Sequence, residues 1–431
     1  MTLTAWAATA TFLFVYALIA TEKIHRVAAA LGGAGVMLLI HATNAETAFF
    51  SEATGIDWNV IFLLFGMMVI VGVLKQTGVF EYLAIWAAKR AKGRPYPLMV
   101  LLVAITAFAS ALLDNVTTVL LVAPVTFLVC ERLALPAAPY LIAEALASNI
   151  GGAATLVGDP PNIIIASRAN LSFNDFLVHM APMVVVLMIA FILLCRVMFR
   201  RAFRYDPDRV AEIMSLDERE AIKDRRLLVQ SLVVLGLVMA AFVLHPVLHY
   251  EPSVVALLGA GVLVAATKVT TSDALSEVEW PTLTFFAGLF VMVGALVHTG
   301  VIGLVSEAAA DAFAGRLGVA TMGLLGGSAV ISAIVDNIPY VATMAPIVGE
   351  LVQSAGGEAA QVLWWALAFG ADLGGNATAV GAAANVVVLG IAARNGTPIS
   401  FWQFTKYGLL TTIITVGLCV PYLWLRYLVG A

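Results

Sequence analysis

Long apolar runs alternate with short polar connections along the chain, and no sustained strand-like alternation of apolar and polar positions competes with them, so the runs predict helices. Residues 4–21, 26–41 and 58–74 approach the ~20 apolar residues that span a bilayer and predict three crossings. "FEYLAIWAAKRAKGR", residues 80–94, has too little apolar length and a basic end, which predicts a helix lying in the interface. Residues 98–131 form two apolar arms divided by Asp114-Asn115 within "LLDNVTTVLLVAPVT". Each arm has about 15 or 16 residues, roughly 24 Å at 1.5 Å per residue and short of the ~30 Å hydrocarbon core, so the pair predicts a re-entrant hairpin. Residues 139–166 reach across but carry "GGAATLVGDPPN", whose glycines and Pro-Pro pair interrupt a helix and predict a broken span. Residues 176–195 complete five crossings and one hairpin.

The unit occurs twice. "DWNVIFLLFGMMVIVGVLKQTGV" from Asp57 aligns without gaps with "EWPTLTFFAGLFVMVGALVHTGV" from Glu279, an offset of 279 minus 57, or 222. The same offset carries Asp114-Asn115 onto Asp336-Asn337, which stand in "IVDNIPYVATMAPIV". One inserted residue later, Gly151-Gly152 falls on Gly374-Gly375, Thr155 on Thr378, Gly158 on Gly381 and Asn162 on Asn385. Residues 1–195 are therefore a first membrane repeat and 227–431 a second, with its hairpin at 320–352 and its broken helix at 361–393. The hydrophilic stretch 196–226 between them predicts a solvated cytoplasmic linker.

Five crossings is an odd number, so the second copy enters the membrane inverted. With both termini outside, all but three of the 23 Lys and Arg residues fall on the cytoplasmic side, the exceptions being Arg168, Arg316 and Arg426. The predicted fold class is an all-α polytopic membrane protein of two inverted-topology repeats, each with five crossings, one of them broken, plus one re-entrant helical hairpin.

Composition agrees with a membrane solvent: 61% of residues are hydrophobic and 12% charged, too few charges to cover a water-soluble globule of 431 residues. The plasma (inner) membrane is the expected location and the lipid bilayer the expected partner; no nucleic-acid partner is expected. The first apolar run begins at Leu3 with no basic residue before it, which reads as a retained helix rather than a signal peptide. Cys130, Cys195 and Cys419 lie in or at the ends of apolar segments and read as small buried hydrophobes, not as a disulfide or thiolate metal site. No catalytic set stands out, so no enzyme is expected.

The chemistry concentrates at four breaks: the two hairpin tips and the interruptions at 151–162 and 374–385. Irregular backbone at membrane depth is tolerated only inside protein or along a wet cavity. A helix cap contributes about 1 kcal/mol, and Ser or Thr would serve, whereas a charged carboxylate near the bilayer centre costs ~2.5 to 3.5 kcal/mol. Capping alone is thus a poor reason for Asp114, Asp159, Asp336 and Asp372, the last of which aligns with Asn149. The candidate ion- and substrate-binding set is Asp114, Asn115, Thr117, Thr118, Asn149, Gly151, Thr155, Gly158, Asp159 and Asn162 in the first half. In the second half it is Asp336, Asn337, Asp372, Gly375, Asn376, Thr378, Gly381 and Asn385. Proton-carrier candidates are Asp114, Asp336, Asp372 and Glu144, whose counterpart is Leu367. No Lys or Arg is expected at this level, so a cation is among the things bound; Na⁺ is expected near Asp114, Asn115, Asp336 and Asn337. Na⁺ or H⁺ as coupling ion is expected and no other cofactor. His179 and His298 are expected at the outer interface.

"LLDNVTTVLLVAPVT", "LIAEALASNIGGAATLVGDPPNIIIAS", "VDNIPYVATMAPIV" and "ALAFGADLGGNATAVGAAANVVVLGIA", in that order, resemble the ion transporter superfamily. The similar branch holds arsenite pumps, NhaD-type Na⁺/H⁺ antiporters and the melanosomal P protein, the P protein being the nearest of these. The resemblance implies a homodimer in which each protomer has a scaffold domain and a transport domain of hairpins and broken helices, moving like an elevator. It also implies that the hairpin tips and broken-helix loops form the site. Dicarboxylate carriers of the superfamily have Ser-Asn-Thr at the tips, whereas this chain has Asp-Asn followed by Val-Thr-Thr or Ile-Pro-Tyr, and two tip aspartates repel a carboxylate. The expected function is cation-coupled secondary transport of a small inorganic solute, most directly as a Na⁺/H⁺ antiporter. Alternatives are proton-coupled arsenite or antimonite efflux, a di- or tricarboxylate or other anion carrier, and an ion channel. An intramembrane aspartyl protease is the more distant reading, because both tip aspartates stand at breaks between helices and each is followed by Asn.

Overall fold

A computed structural model describes residues 1–21, 24–203, 214, 217–313 and 316–429. Among them there is no β-strand. The predicted linker, 196–226, falls partly outside the described residues, at 204–213 and 215–216.

The first half runs α1 (Leu3–Ala20), α2 (Arg26–Leu39), α3 (Ala45–Phe50), α4 (Trp58–Gln76), α5 (Val79–Arg90), α6 (Pro95–Leu112), α7 (Asn115–Arg132), α8 (Ala137–Gly152), α9 (Pro160–Ala169), α10 (Phe173–His179) and α11 (Ala181–Met198). The second runs α12 (Arg225–Val243), followed by a single helical turn at His245–Leu248, then α13 (Pro252–Ala266), α14 (Thr271–Ser276), α15 (Trp280–His298), α16 (Val301–Phe313), α17 (Leu317–Ser332), α18 (Asn337–Ala355), α19 (Val362–Gly374), α20 (Ala383–Arg394) and α21 (Phe401–Leu423), with no counterpart of α10. Eight helices among the described residues are long and apolar enough to cross a membrane: α1, α4, α6, α7, α11, α12, α15 and α21 with its extension to Leu428.

The hairpin arms α6 and α7 have 18 residues each, about 27 Å at 1.5 Å per residue. They exceed the sequence-based length because α6 starts at Pro95, suited to a first helical position, and α7 continues to Arg132. Conversely, α2 stops short of residue 41, where His41 turns the chain with a φ of 56°.

Helix contacts are exchanged between the halves. α4 packs on α13 and its counterpart α15 on α2; α7 packs on α20 and its counterpart α18 on α9. Within each half the hairpin packs on the broken helix, α6 on α8 and α17 on α19. The turns that lead out of α4 and α15 match as well: Gly78 and Gly300 both take left-handed φ, 80° and 75°, which L side chains rarely adopt. The first of these turns also receives the end of the linker, through Lys223 N–H donating to the Thr77 carbonyl at 2.9 Å, and a Lys89–Glu218 ion pair at 2.5 Å ties the linker to the far end of α5.

Polarity is distributed opposite to that of a water-soluble protein. Large apolar side chains such as Phe14, Ile189, Leu193, Leu237 and Leu258 are exposed on the outer helices, while Ser110, Asn149, Asp159, Asn162, Ser332, Asp372, Asn376 and Asn385 are 0% exposed. Exposed apolar surface on this scale is covered by lipid. The three cysteines are buried and unpaired.

Candidate functional site

Each hairpin tip is an aspartate that caps the returning arm. Asp114 Oδ1 accepts from Thr117 N–H at 2.8 Å, and Asp336 Oδ1 accepts from Ile338 N–H at 3.0 Å. The asparagine after each cap points inward. Asn115 Nδ2 donates to Asn149 Oδ1 at 3.0 Å. Asn337 Nδ2 reaches Asp159, lying 3.4 Å from each carboxylate oxygen.

The loops between α8 and α9 and between α19 and α20 are held to their hairpins by matched hydroxyl bonds. Thr155 Oγ1 donates to the Ala111 carbonyl and Thr378 Oγ1 to the Ala333 carbonyl, both at 2.6 Å. One turn before the tips, Ser110 Oγ donates to Ser148 O and Ser332 Oγ to Ala371 O, both at 2.7 Å. Ser110 and Ser332 are absent from the sequence-derived set, although their spacing of 222 (332 minus 110) marks them in the repeat. The glycines make these contacts possible. A Cβ on Gly151 would lie 2.3 Å from Ala107 O, and one on Gly158 2.7 Å from Ser110 O. In the second half, a Cβ on Gly374 would lie 2.6 Å from Ala329 O and one on Gly381 3.0 Å from Ser332 O, while Gly375 sits against Gly381.

Asn162 Nδ2 donates to Thr155 O at 3.1 Å, and Asn385 Nδ2 to Thr378 O at 2.9 Å and Gly375 O at 2.8 Å. Across the interface, Asn149 Nδ2 donates to Asn376 Oδ1 at 2.9 Å and Asn385 Oδ1 at 3.2 Å, and Asn376 Nδ2 donates to Leu146 O at 3.4 Å. Asp372, at the position equivalent to Asn149, lies beside the Asn162 side chain, which is its polar partner. Asp159 lies within electrostatic range of Asp372, Asp336 and Asp114. Asn115 Oδ1, Thr118 Oγ1 and Asn162 Oδ1 are further buried oxygens without a hydrogen-bond partner. Among the described residues no three His, Cys, Asp or Glu side chains come together as a metal centre.

Glu144 stands apart from the tips. Thr126 Oγ1 donates to its Oε1 at 2.5 Å, and its Oε2 has no partner. His179 bonds Tyr427 Oη through Nδ1 at 2.5 Å and stacks on Trp365 with centroids 4.7 Å apart. His298 ends α15.

One sequence-based expectation is corrected. Arg26, at the start of α2, places Nη1 3.7 Å from Asp336 Oδ2, so a guanidinium does reach the site. The sequence hides this because Arg26 opens the apolar run 26–41 and reads as a cation at the membrane boundary. The other tip has the opposite neighbour: Glu279, the cap residue before α15, senses the charge of Asp114. Burial first and Asp114 second raise the Glu279 carboxyl from 4.5 to about 7.

Residues 16–370 match the family model described as "Citrate transporter". The chain belongs to the citrate transporter family, within the ion transporter superfamily. This family member is 58% identical to the 46 kDa membrane protein of Mycobacterium leprae over 97% of this chain and 98% of that one. An uncharacterized transporter of Mycobacterium tuberculosis is 59% identical over 97% of this chain and 98% of its own length. The human P protein is 35% identical over 96% of this chain, which spans 59% of the P protein. The YdaH transporter of Alcanivorax borkumensis has the same fold, with a TM-score of 0.60, 17% identity and 84% of each chain covered. This family member is therefore an integral membrane transporter and not an enzyme.

Proposed function

We propose that this protein is a cation-coupled secondary active transporter of an inorganic ion, exchanging Na⁺ for H⁺. The observation that carries the reading is the buried pair Asp159 and Asp372, set beside two helix interruptions, with Asn337 on the first and Asn162 on the second. A permanent charge there would cost several kcal/mol, and a cation or proton removes that cost. Na⁺ and H⁺ competing for the same carboxylates gives exchange without further machinery.

The exchanged contacts of α4 with α13 and α15 with α2 support two inverted copies, and the equal tips support two hairpins that enter the membrane from opposite sides. In this reading α1–α4 and α12–α15 form a scaffold that carries the contact of a homodimer. The hairpins with α8, α9, α19 and α20 form the body that slides the site across the membrane. Both termini lie outside the inner membrane.

Carriage of a di- or tricarboxylate is the second reading. It is favoured by Arg26 beside Asp336, which offers an anion one guanidinium, and by the description of the family.

Proteoliposomes under an imposed pH gradient separate the two. Addition of Na⁺ or Li⁺ is expected to dissipate the gradient, and arsenite and citrate are expected not to. Citrate uptake in the absence of any alkali-cation effect overturns the exchange reading.

A further inference from the structure

Away from the hairpin tips, α5, the end of the linker and the start of α12 enclose a groove of about 710 Å³. α5 lines it with Val79, Tyr82 and Leu83, a spacing of three and four that puts them on one helix face. α12 lines it with Arg225, Leu228 and Leu232 by the same spacing, and the linker end adds Arg219 and Ile222. The linker end is seated closely here: a Cβ on Gly78, at the turn before α5, would lie 1.9 Å from Ala221 O.

The groove has a charged end and an apolar wall. Arg225 is the first residue of a helix long and apolar enough to cross the membrane, and Leu232, seven residues on, lies roughly 10 Å further along it at 1.5 Å per residue. Leu232 is 47% exposed, so the wall opens toward the hydrocarbon. Neither arginine stands in an ion pair among the described residues. Glu218, beside Arg219, is engaged by Lys89 at 2.5 Å. Asp224 caps α12, accepting from Arg226 N–H at 2.8 Å and Leu227 N–H at 2.9 Å. Glu81 and Glu220 do not line the groove. The second half repeats only the stripe of α5, as Val301, Leu304 and Val305 of α16. There Leu304 and Val305 are 48% and 46% exposed, and the chain has no second linker to bring arginines to them.

We infer that this groove binds one anionic phospholipid per protomer, its phosphate held by Arg219 and Arg225 and an acyl chain laid along Leu228 and Leu232. Guanidinium groups take phosphate oxygens through paired N–H donors, and basic pockets at the membrane boundary select anionic headgroups. A zwitterionic lipid offers the same phosphate but brings its own cation, which two arginines repel. α5 leads from α4 into the hairpin arm α6 and packs on α7, so the lipid sits at the joint between the helices proposed as scaffold and the hairpin proposed to move. The inference goes beyond the exchange reading and holds whichever ion is carried.

The test is native mass spectrometry of the full-length protein in detergent, titrated with dioleoylphosphatidylglycerol or with dioleoylphosphatidylcholine. One phosphatidylglycerol per protomer is expected to bind before any phosphatidylcholine does. Arg219→Gln and Arg225→Gln are expected to weaken that binding about fivefold each. Both side chains are exposed, so the variants fold. Arg90→Gln, on α5 but outside the groove, is expected to bind as the wild type does, and excess inorganic phosphate is expected not to displace the lipid. Equal binding of the two lipids, wild-type affinity in both groove variants, or an equal loss in Arg90→Gln overturns the inference. Displacement by phosphate overturns it too, since the groove would then read a free anion and not a lipid.

Discussion

Asn337 at the tip of the second hairpin directs its side-chain amide onto Asp159, 3.4 Å from each carboxylate oxygen, and Asp159 belongs to the broken span of the first half. Neither half builds this contact alone. A tip from one copy completes the loop of the other, so movement of one hairpin alters the surroundings of a carboxylate 178 residues away in sequence.

Removing the charge of Asp372 is expected to separate stability from transport. Its carboxylate is fully buried with an amide rather than a cation beside it, and a buried charge without a counter-charge costs several kcal/mol. Asp372→Asn is expected to melt in detergent at the wild-type temperature or above while losing cation-driven transport. A lowered melting temperature with transport intact contradicts that assignment.

The hydroxyls of Ser110 and Ser332 are expected to be equivalent. Each donates at 2.7 Å to a carbonyl of the neighbouring broken helix, and loss of such a buried bond costs about 1 kcal/mol. Ser110→Ala and Ser332→Ala are expected to lower thermal stability by similar amounts, and the double variant by their sum. Thermal unfolding of the four proteins checks this; an effect confined to one serine contradicts equal clamping.

Gly151 and Gly374 are expected to tolerate no side chain, since a Cβ would lie 2.3 Å from Ala107 O and 2.6 Å from Ala329 O. Overpacking of this kind costs roughly 1 to 3 kcal/mol. Alanine at either position is expected to reduce the folded yield in membranes, read by size-exclusion profiles of detergent extracts, whereas Gly236→Ala, with nothing within 4 Å of its Cβ, is expected to leave the profile unchanged.

The sequence makes the hairpin tips and interruptions legible because the copies stay aligned but for one inserted residue: a pair such as Thr155 and Thr378 repeats not only its type but its bond. The inequality of Asn149 and Asp372 is legible too. Contacts between residues far apart in the chain and unmatched in the repeat are not, which is why Arg26 at Asp336 and Glu279 near Asp114 emerge only from the fold. Arm length is misread for a local reason: hydropathy falls at Pro95 and Arg132, but the backbone remains helical through both.

Glu279 is expected to impose a pH dependence on stability. Its carboxyl titrates at about 7 in the folded protein against an ordinary 4.5. Across that window the folded protein holds a proton that the unfolded chain has released, so stability falls as pH rises and levels off above the upper value. Melting temperatures at pH 5 and pH 8 are expected to differ less in Glu279→Gln than in the wild type; an unchanged difference excludes this carboxyl as the source.

Arg26 tests which cargo the site takes. Its pairing with Asp336 at 3.7 Å is partly exposed and contributes at most about 1 kcal/mol to stability. Arg26→Gln is expected to fold normally and to raise the apparent affinity for the driving cation a few-fold, because a competing positive charge is gone. Loss of citrate uptake in this variant, with no effect of Na⁺, supports the carboxylate reading instead.

The most direct measurement is Na⁺-driven proton release from proteoliposomes containing an internal pH dye, with wild type, Asp159→Asn and Asp372→Asn compared at equal protein density. Rapid alkalinisation on Na⁺ addition in the wild type and none in either variant is the predicted result. Equal rates in all three, or no response in the wild type, contradicts a cation carried by these two carboxylates.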